Sequence, residues 1–443
     1  MPTMNGTKAS KTGSGHIMEK LTSIRRPMTN GTIQPQAGSG RINMNQSFGH
    51  NPFITIPQDV DQNPFRLVWD DLQSVFQLSK LLPLIIVPFN FNSGPLDELY
   101  PSRSNIYAIT LHMILLFTQL LMIITLPIMA VIFWFLPGLL NLLYFVAFVG
   151  ITLFFTRLLN GPPTTEALVG LPDGIDPVND EHELWFFING VSVGKGWLQS
   201  NLDLLARTFQ REVVGIRNIT NGFIFDLIEC LIQRDLDYKT RDIRLGRAQL
   251  RSALAAPATK KVVLITHSQG GIEGSSIVDW LLADLSIEVM SKLEIYNFGN
   301  AARHFNNPLI KASSPSSVGE GKGGRGDRVI KYIEHYANSH DFVANIGVLD
   351  FTSPQAQPYA DGNAFYGPVF VREGTGHLLN MHYLDTMFTM VNGKVDDQGN
   401  AFMNSVVQDR GERVGMTNGN ALKRIKDVSR LWEYRNGGKP RDE

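Results

Sequence analysis

The stretch Val262-Val263-Leu264-Ile265-Thr266-His267-Ser268-Gln269-Gly270-Gly271-Ile272-Glu273-Gly274 decides how this chain is read. Four consecutive apolar residues, VVLI at 262–265, fit a strand buried on both faces, because such a strand has no polar alternation. Past the glycines, Val278, Leu281, Leu282 and Leu285 recur at helical spacing. A strand that turns sharply into a helix presents the turn residue, here Ser268, at the end of a sheet, and small neighbours let the turn close. The N-terminus of the following helix offers unpaired N–H groups and a positive dipole end, both favourable to a developing oxyanion. Ser268 is therefore the candidate nucleophile, and the backbone N–H of Gln269 the first candidate oxyanion donor.

Outward from this turn the same alternation continues. Strand-length apolar runs lie at Leu184–Ile188, Val213–Ile216, Leu293–Phe298 and Val329–Ile333, and helical spacing recurs in Leu198, Leu202, Leu205, Phe209 and in Ile224, Leu227, Ile228, Leu231. Strands alternating with amphipathic helices predict an α/β domain over 180–392, a mainly parallel sheet with helices on both faces. Within it, 311–328 (KASSPSSVGEGKGGRGDR) reads as a flexible Gly/Ser-rich insertion, and the chain after Gly393 as a polar C-terminal tail.

A serine needs a base, and the base an acid; in this chain order both follow the serine, acid first. Asp341, in Ala337-Asn338-Ser339-His340-Asp341 beyond a predicted strand, is the candidate acid. The segment GTGHLLNMHYLD at 374–385 holds His377 and His382. His382, leading into apolar Met387 and Phe388, is the favoured base, His377 the alternative, and His340 is too close in sequence to Asp341 to share its role comfortably. A second oxyanion donor is expected from an earlier strand end, and Phe186–Ile188 running into Asn189-Gly190 points to the N–H of Val191. No cofactor or metal is expected.

The runs WFFINGVSVGKGWLQSNLD, THSQGGIEG, NFGNAARHFNNP, YANSHDFVANIGVL and GHLLNMHYLD resemble an uncharacterised fungal family of membrane-associated α/β-hydrolase-fold proteins, over roughly 81–388, and distantly lipases and serine esterases. The resemblance implies an α/β-hydrolase-like fold, with Ser268 as nucleophile and Asp341 and His382 as partners. Thr266 departs from the lipase pattern, which has glycine two residues before the serine.

Between Arg103 and Arg157 lie 53 residues without a single Lys, Arg, Asp or Glu. That is about right for two membrane passes of roughly 20 residues each, with Pro137-Gly138 as the breaker between them. A two-helix transmembrane hairpin over 104–157 follows, and its flanking arginines place both ends in the cytosol, at the endoplasmic reticulum or a lipid droplet. A re-entrant hairpin confined to one leaflet is the alternative. Residues 61–103 read as a linker with an interfacial apolar stretch at 81–91, and 1–60 as a disordered tail without a secretory signal. Sequons occur at Asn5, Asn30, Asn45 and Asn218. The single cysteine, Cys230, excludes an internal disulfide and reads as a buried thiol. Forty Lys+Arg against 41 Asp+Glu, a net charge of −1, exclude bulk electrostatic attraction to nucleic acid. Together these features predict a membrane-anchored serine hydrolase acting on a lipid or other hydrophobic ester, with the bilayer as partner. The competing expectation is a catalytically inactive scaffold of the same fold.

Overall fold

The computed structural model describes residues 63–441, apart from 136, 163–165, 173–181, 311–327, 354–364 and 408–422. The N-terminal tail with its three sequons and nearly all of the 311–328 insertion lie outside the described residues.

The described residues open with α1 (Pro64–Gln77), capped by the Asn63 side chain on the Phe65 N–H, and a 3-10 turn, Ser79–Ile85. Two long apolar helices follow, α2 (Arg103–Ile132) and α3 (Gly138–Asn160), each long and apolar enough to cross a membrane. They pack through Leu111, Leu115 and Leu159, and Thr125 bonds the Tyr144 hydroxyl across them.

A seven-stranded sheet follows, in the order β1-β3-β2-β4-β5-β6-β7, from strands β1 (Val169–Gly170), β2 (Glu183–Ile188), β3 (Val213–Ile216), β4 (Lys261–His267), β5 (Leu293–Phe298), β6 (Tyr332–Asn338) and β7 (Val369–Arg372). All pairings are parallel except that of β1 with β3. Helices α4 (Lys195–Phe209), α5 (Phe223–Asp235), α6 (Arg241–Ala255) and α7 (Gln269–Asp284) connect the first four long strands. Strands β2, β4 and β5 are buried over most of their length because both faces are covered, and Phe187, Ile265 and Phe298 have no exposed surface.

Three sequence expectations need correction. The fifth predicted strand, 329–333, is displaced: Val329 and Ile330 bond Pro308 and Asn307 outside the ladder, and β6 begins at Tyr332. Its polar Glu334 and His335 disguise a buried strand, each being satisfied by partners: Arg430 and Leu431 N–H groups for Glu334, Asn297 and Tyr366 for His335. The chain after Gly393 is not a separate polar tail. Phe402, Met403, Ile425, Leu431, Trp432 and Tyr434 are buried in the main core, and Arg430 binds the buried Glu294 carboxylate at 2.9 Å. Finally, Cys230 is half-buried rather than enclosed.

The stretch before the hairpin is part of the same body. Glu98 accepts the Asn380 and Met381 N–H groups at 3.0 and 3.2 Å and the Asn201 amide at 3.0 Å. Asp71 on α1 pairs with Arg303 (2.9 Å) and Arg234 (3.2 Å).

Candidate active site

Strand β4 delivers Ser268 to the C-terminal edge of the sheet, and Ser268 takes φ 58° and ψ −124°. A non-glycine residue in this region is strained by of order 1–3 kcal/mol and persists only where its surroundings over-determine it. Here they do. The Ser268 N–H bonds the Phe298 carbonyl (3.0 Å), and its own carbonyl accepts Gly271 N–H (2.9 Å) and Ala301 N–H (3.3 Å). Gly270 is required because a Cβ there would strike the Ile188 carbonyl. Thr266 does not disturb the turn: its hydroxyl points sideways to Asn297 (2.6 Å) on β5.

The end of β2 lies directly against the serine. A Cβ added to Gly190 would stand 2.5 Å from Ser268 Cβ and 3.0 Å from Oγ, so only glycine fits there. Asn189 holds this strand end, its amide donating to Asn218 O (2.9 Å) and its oxygen accepting Asn218 N–H (3.0 Å). Asn218 in turn donates to the Gln269 side chain (2.6 Å), which donates to Gln233 (3.0 Å). The Gln269 side chain is thus drawn aside, leaving its backbone N–H in the first turn of α7, where helices have no internal acceptor for it. Val191 follows Gly190, so both expected oxyanion donors sit on backbone that borders Ser268. The burial of Asn218 also disposes of its sequon as a glycan site.

Asp341 caps the short helix Phe342–Ile346 just past β6, accepting Val343 N–H at 2.9 Å. Its other oxygen accepts His377 Nδ1–H at 2.8 Å and the Tyr383 hydroxyl at 2.6 Å. Burial alone would raise this carboxyl, but attraction to His377 and the hydrogen bonds from His377, Tyr383 and Val343 outweigh it and hold it below the usual range. His377 stacks on His267 with ring centroids 4.7 Å apart, and His267 immediately precedes Ser268. With Nδ1 committed to Asp341, His377 Nε2 is buried and has no hydrogen-bond partner among the described residues. Gly299, φ 51°, leaves room for this pair; a Cβ there would lie 2.9 Å from Asp341 and 3.0 Å from His377.

The favoured base of the sequence reading is placed otherwise. His382 Nδ1 accepts the Leu378 N–H (3.0 Å), and its Nε2–H donates to the Pro88 carbonyl (2.9 Å). Both nitrogens are committed, and burial lowers its pKa to about 4, so it stays neutral as a brace. The alternative, His377, is the histidine on Asp341. His340 is exposed and turns to Ser339 and Glu373.

The loop carrying His377 is held from outside the sheet. Gly376 N–H bonds Leu84 O (3.0 Å), His377 N–H bonds Ile85 O (2.9 Å), and the Thr375 hydroxyl bonds Val87 O (2.8 Å). Sequence reasoning missed this strap, as it missed Tyr383 and Asn218, because none of the three belongs to a short motif. Among the described residues no group of three His, Cys, Asp or Glu side chains could hold a metal ion.

Acyl transfer is the chemistry that uses these residue types, although His377 Nε2 does not bond the Ser268 hydroxyl here. An acid-oriented imidazole with one free nitrogen, a serine on a forced turn and two backbone donors make up that apparatus. Comparison with protein-family models, curated proteins and solved structures returns no significant match.

Proposed function

We propose that the chain is a membrane-anchored serine hydrolase of α/β-hydrolase type, cleaving a lipid or other hydrophobic acyl ester. The Asp341–His377 pair carries this reading: it fixes the proton on Nδ1 and leaves a buried Nε2 unused, at the strand ends that present Ser268 in a left-handed turn. In this reading His377 takes the Ser268 hydroxyl proton as Oγ attacks the ester carbonyl. The carbonyl π electrons pass to oxygen, where the Gln269 and Val191 N–H groups stabilise the negative charge. Collapse of the tetrahedral adduct breaks the ester C–O bond, and His377 returns the proton to the departing alcohol. Water, deprotonated by the same imidazole, then releases the acid and restores Ser268. The like order of Ser268, Asp341 and histidine along the chain, and the resemblance to a fungal membrane-associated hydrolase family, point the same way.

The hydrophobic substrate is supported by α2 and α3, whose outward faces are apolar: Phe117, Leu121 and Ile124 are 62–64% exposed. Arg103 and Arg157 at the ends of the hairpin favour the cytosolic side for the domain. The test is labelling of the detergent-solubilised full chain with a fluorophosphonate probe, with Ser268→Ala as control. Labelling that depends on Ser268 is expected; its absence in folded protein refutes the hydrolase and leaves the inactive scaffold.

A further inference from the structure

The projecting part of the hairpin is shorter than the helices themselves. Gln119, in the middle of α2 and without exposed surface, donates to Asn221 O (2.7 Å) and accepts Ile224 N–H (3.1 Å) at the start of α5. Phe148 of α3 meets Phe225 edge-on, with ring centroids 6.4 Å apart. Below these joints His112 stacks on Trp197, and Asn160 bonds Thr220 O (2.8 Å). At 1.5 Å per residue, about 20 Å of α2 and 15 Å of α3 extend beyond the joints. A hydrocarbon core is roughly 30 Å thick. Crossing it would drag the Asn221 loop and the first turn of α5 about 10 Å into hydrocarbon, where unpaired backbone groups are costly. The tip itself, Phe133, Trp134 and Phe135 before Pro137-Gly138, carries no charged side chain, and Trp134 and Phe135 are each 84% exposed.

A second apolar face accompanies it. On α1, Phe65, Trp69, Leu72 and Phe76 are exposed, and at 100° per residue they fall within an arc of about 60°. The opposite side of α1 holds Asp71 against Arg234 on α5. Exposed Leu227 and Ile228 lie on α5, in sequence between the Gln119 joint and that ion pair, and add apolar surface on the element that touches both α1 and the hairpin. Arg66, Asp70 and Gln73 flank the stripe and are exposed. A narrow apolar stripe beside charged residues is the pattern of a helix lying at a headgroup–acyl boundary.

We propose that the hairpin enters one leaflet without crossing the bilayer, and that α1 lies along the headgroup–acyl boundary of that same leaflet. This rests on the membrane reading above and deepens it, since the substrate ester is then one drawn from the leaflet on which the domain sits. The test uses the full chain with Cys230→Ser, carrying a nitrobenzoxadiazole dye at Trp69→Cys, Phe76→Cys or Trp134→Cys. Each is placed in phosphatidylcholine–phosphatidylserine vesicles containing lipids spin-labelled either near the headgroup or near the chain end. The dye at 69 and 76 is expected to be quenched several-fold better by the shallow label, and the dye at 134 by the deep one. Stronger quenching of 134 by the shallow label means that the tip emerges on the far side and overturns the proposal. Absence of quenching at both 69 and 76 overturns it as well. Failure of the hydrolase reading is read separately, as loss of Ser268-dependent fluorophosphonate labelling with the quenching pattern intact; no quenching at any of the three positions sinks both the proposal and the membrane anchor.

Discussion

Replacing His377 and His382 one at a time separates catalysis from bracing, and the structure assigns the two changes opposite signatures. His377→Ala removes the imidazole on Asp341, whose outer nitrogen has no hydrogen-bond partner among the described residues. Loss of the base is expected to lower the second-order rate of fluorophosphonate labelling at least ~10³-fold, which is about 4 kcal/mol at 1.36 kcal/mol per tenfold. His382→Ala instead removes two neutral hydrogen bonds and leaves the Leu378 N–H and Pro88 carbonyl without partners. At about 1–3 kcal/mol for each buried polar group left unsatisfied, the cost is roughly 2–6 kcal/mol of folding stability. Its labelling rate, measured on the folded fraction below the melting transition, should stay within about tenfold of the parent, the loss coming through loosened positioning of the His377 loop. Stopped-time labelling with gel fluorescence gives the rates, and differential scanning fluorimetry the stabilities. If His377→Ala labels at the parental rate while His382→Ala abolishes labelling without lowering Tm, the assignment of roles is refuted.

Gly190→Ala forces a Cβ to within 2.5 Å of Ser268 Cβ; labelling should fall by about 10²-fold or more, as removal of one oxyanion donor does, with detergent-phase partitioning unchanged. Asp97 is enclosed beside Asp385 and Glu98, and burial first, then repulsion from Asp385 and Glu98, pushes its carboxyl up to about 9. The folded state therefore holds a proton that the unfolded chain releases near pH 4, so this group's contribution falls as pH rises from about 4 to 9. Asp97→Asn keeps an oxygen for the Ser93 N–H and cannot ionise, and it should raise Tm more at pH 8 than at pH 5; an equal or smaller gain at pH 8 counts against the buried neutral acid. Trp432, buried and stacked on Phe388 at 5.7 Å, should cost about 3–5 kcal/mol when changed to Ala, measured by denaturant unfolding of the purified chain; a change under 0.5 kcal/mol, ordinary for surface sites, would mean that the C-terminal segment is not core.

The turn at Ser268 was legible because its constraints are local: an apolar strand, a serine and small residues occupy consecutive positions. Asp341 was equally visible, since a strand end followed by a capping acid is a short-range pattern. The choice between His377 and His382 was not. It depends on the backbone of residues 84–88, almost 300 positions earlier, which bonds both histidines in different ways. Polar residues misled for the same reason. Arg430, in what read as a polar tail, meets Glu294 and Glu334 in the interior, and His335 finds Asn297 and the Tyr366 carbonyl there. Pattern reading weighs each polar residue against water, whereas the fold supplies partners from distant segments. Helix α6 was passed over because its apolar positions, Ile243, Leu250, Ala253 and Leu254, are diluted by four arginines and helped by Gly246 packing closely on Ile277.

The strap at 84–88 and the Glu98 contacts sit before the hairpin in the chain, yet they hold the His377 loop in place. The apolar hairpin is thus an excursion made midway through the assembly of the domain, with essential pieces on either side of it. A fragment begun at residue 180 would discard the backbone that seats His377 and the carboxylate that caps the Asn380 turn, and should not fold into a competent body. Excising residues 120–150 and joining the stumps by a short turn keeps the Gln119 and Asn160 joints along with everything that touches the site. A form without the inserted hairpin is to be made by a cut in the middle of the chain, not at its front.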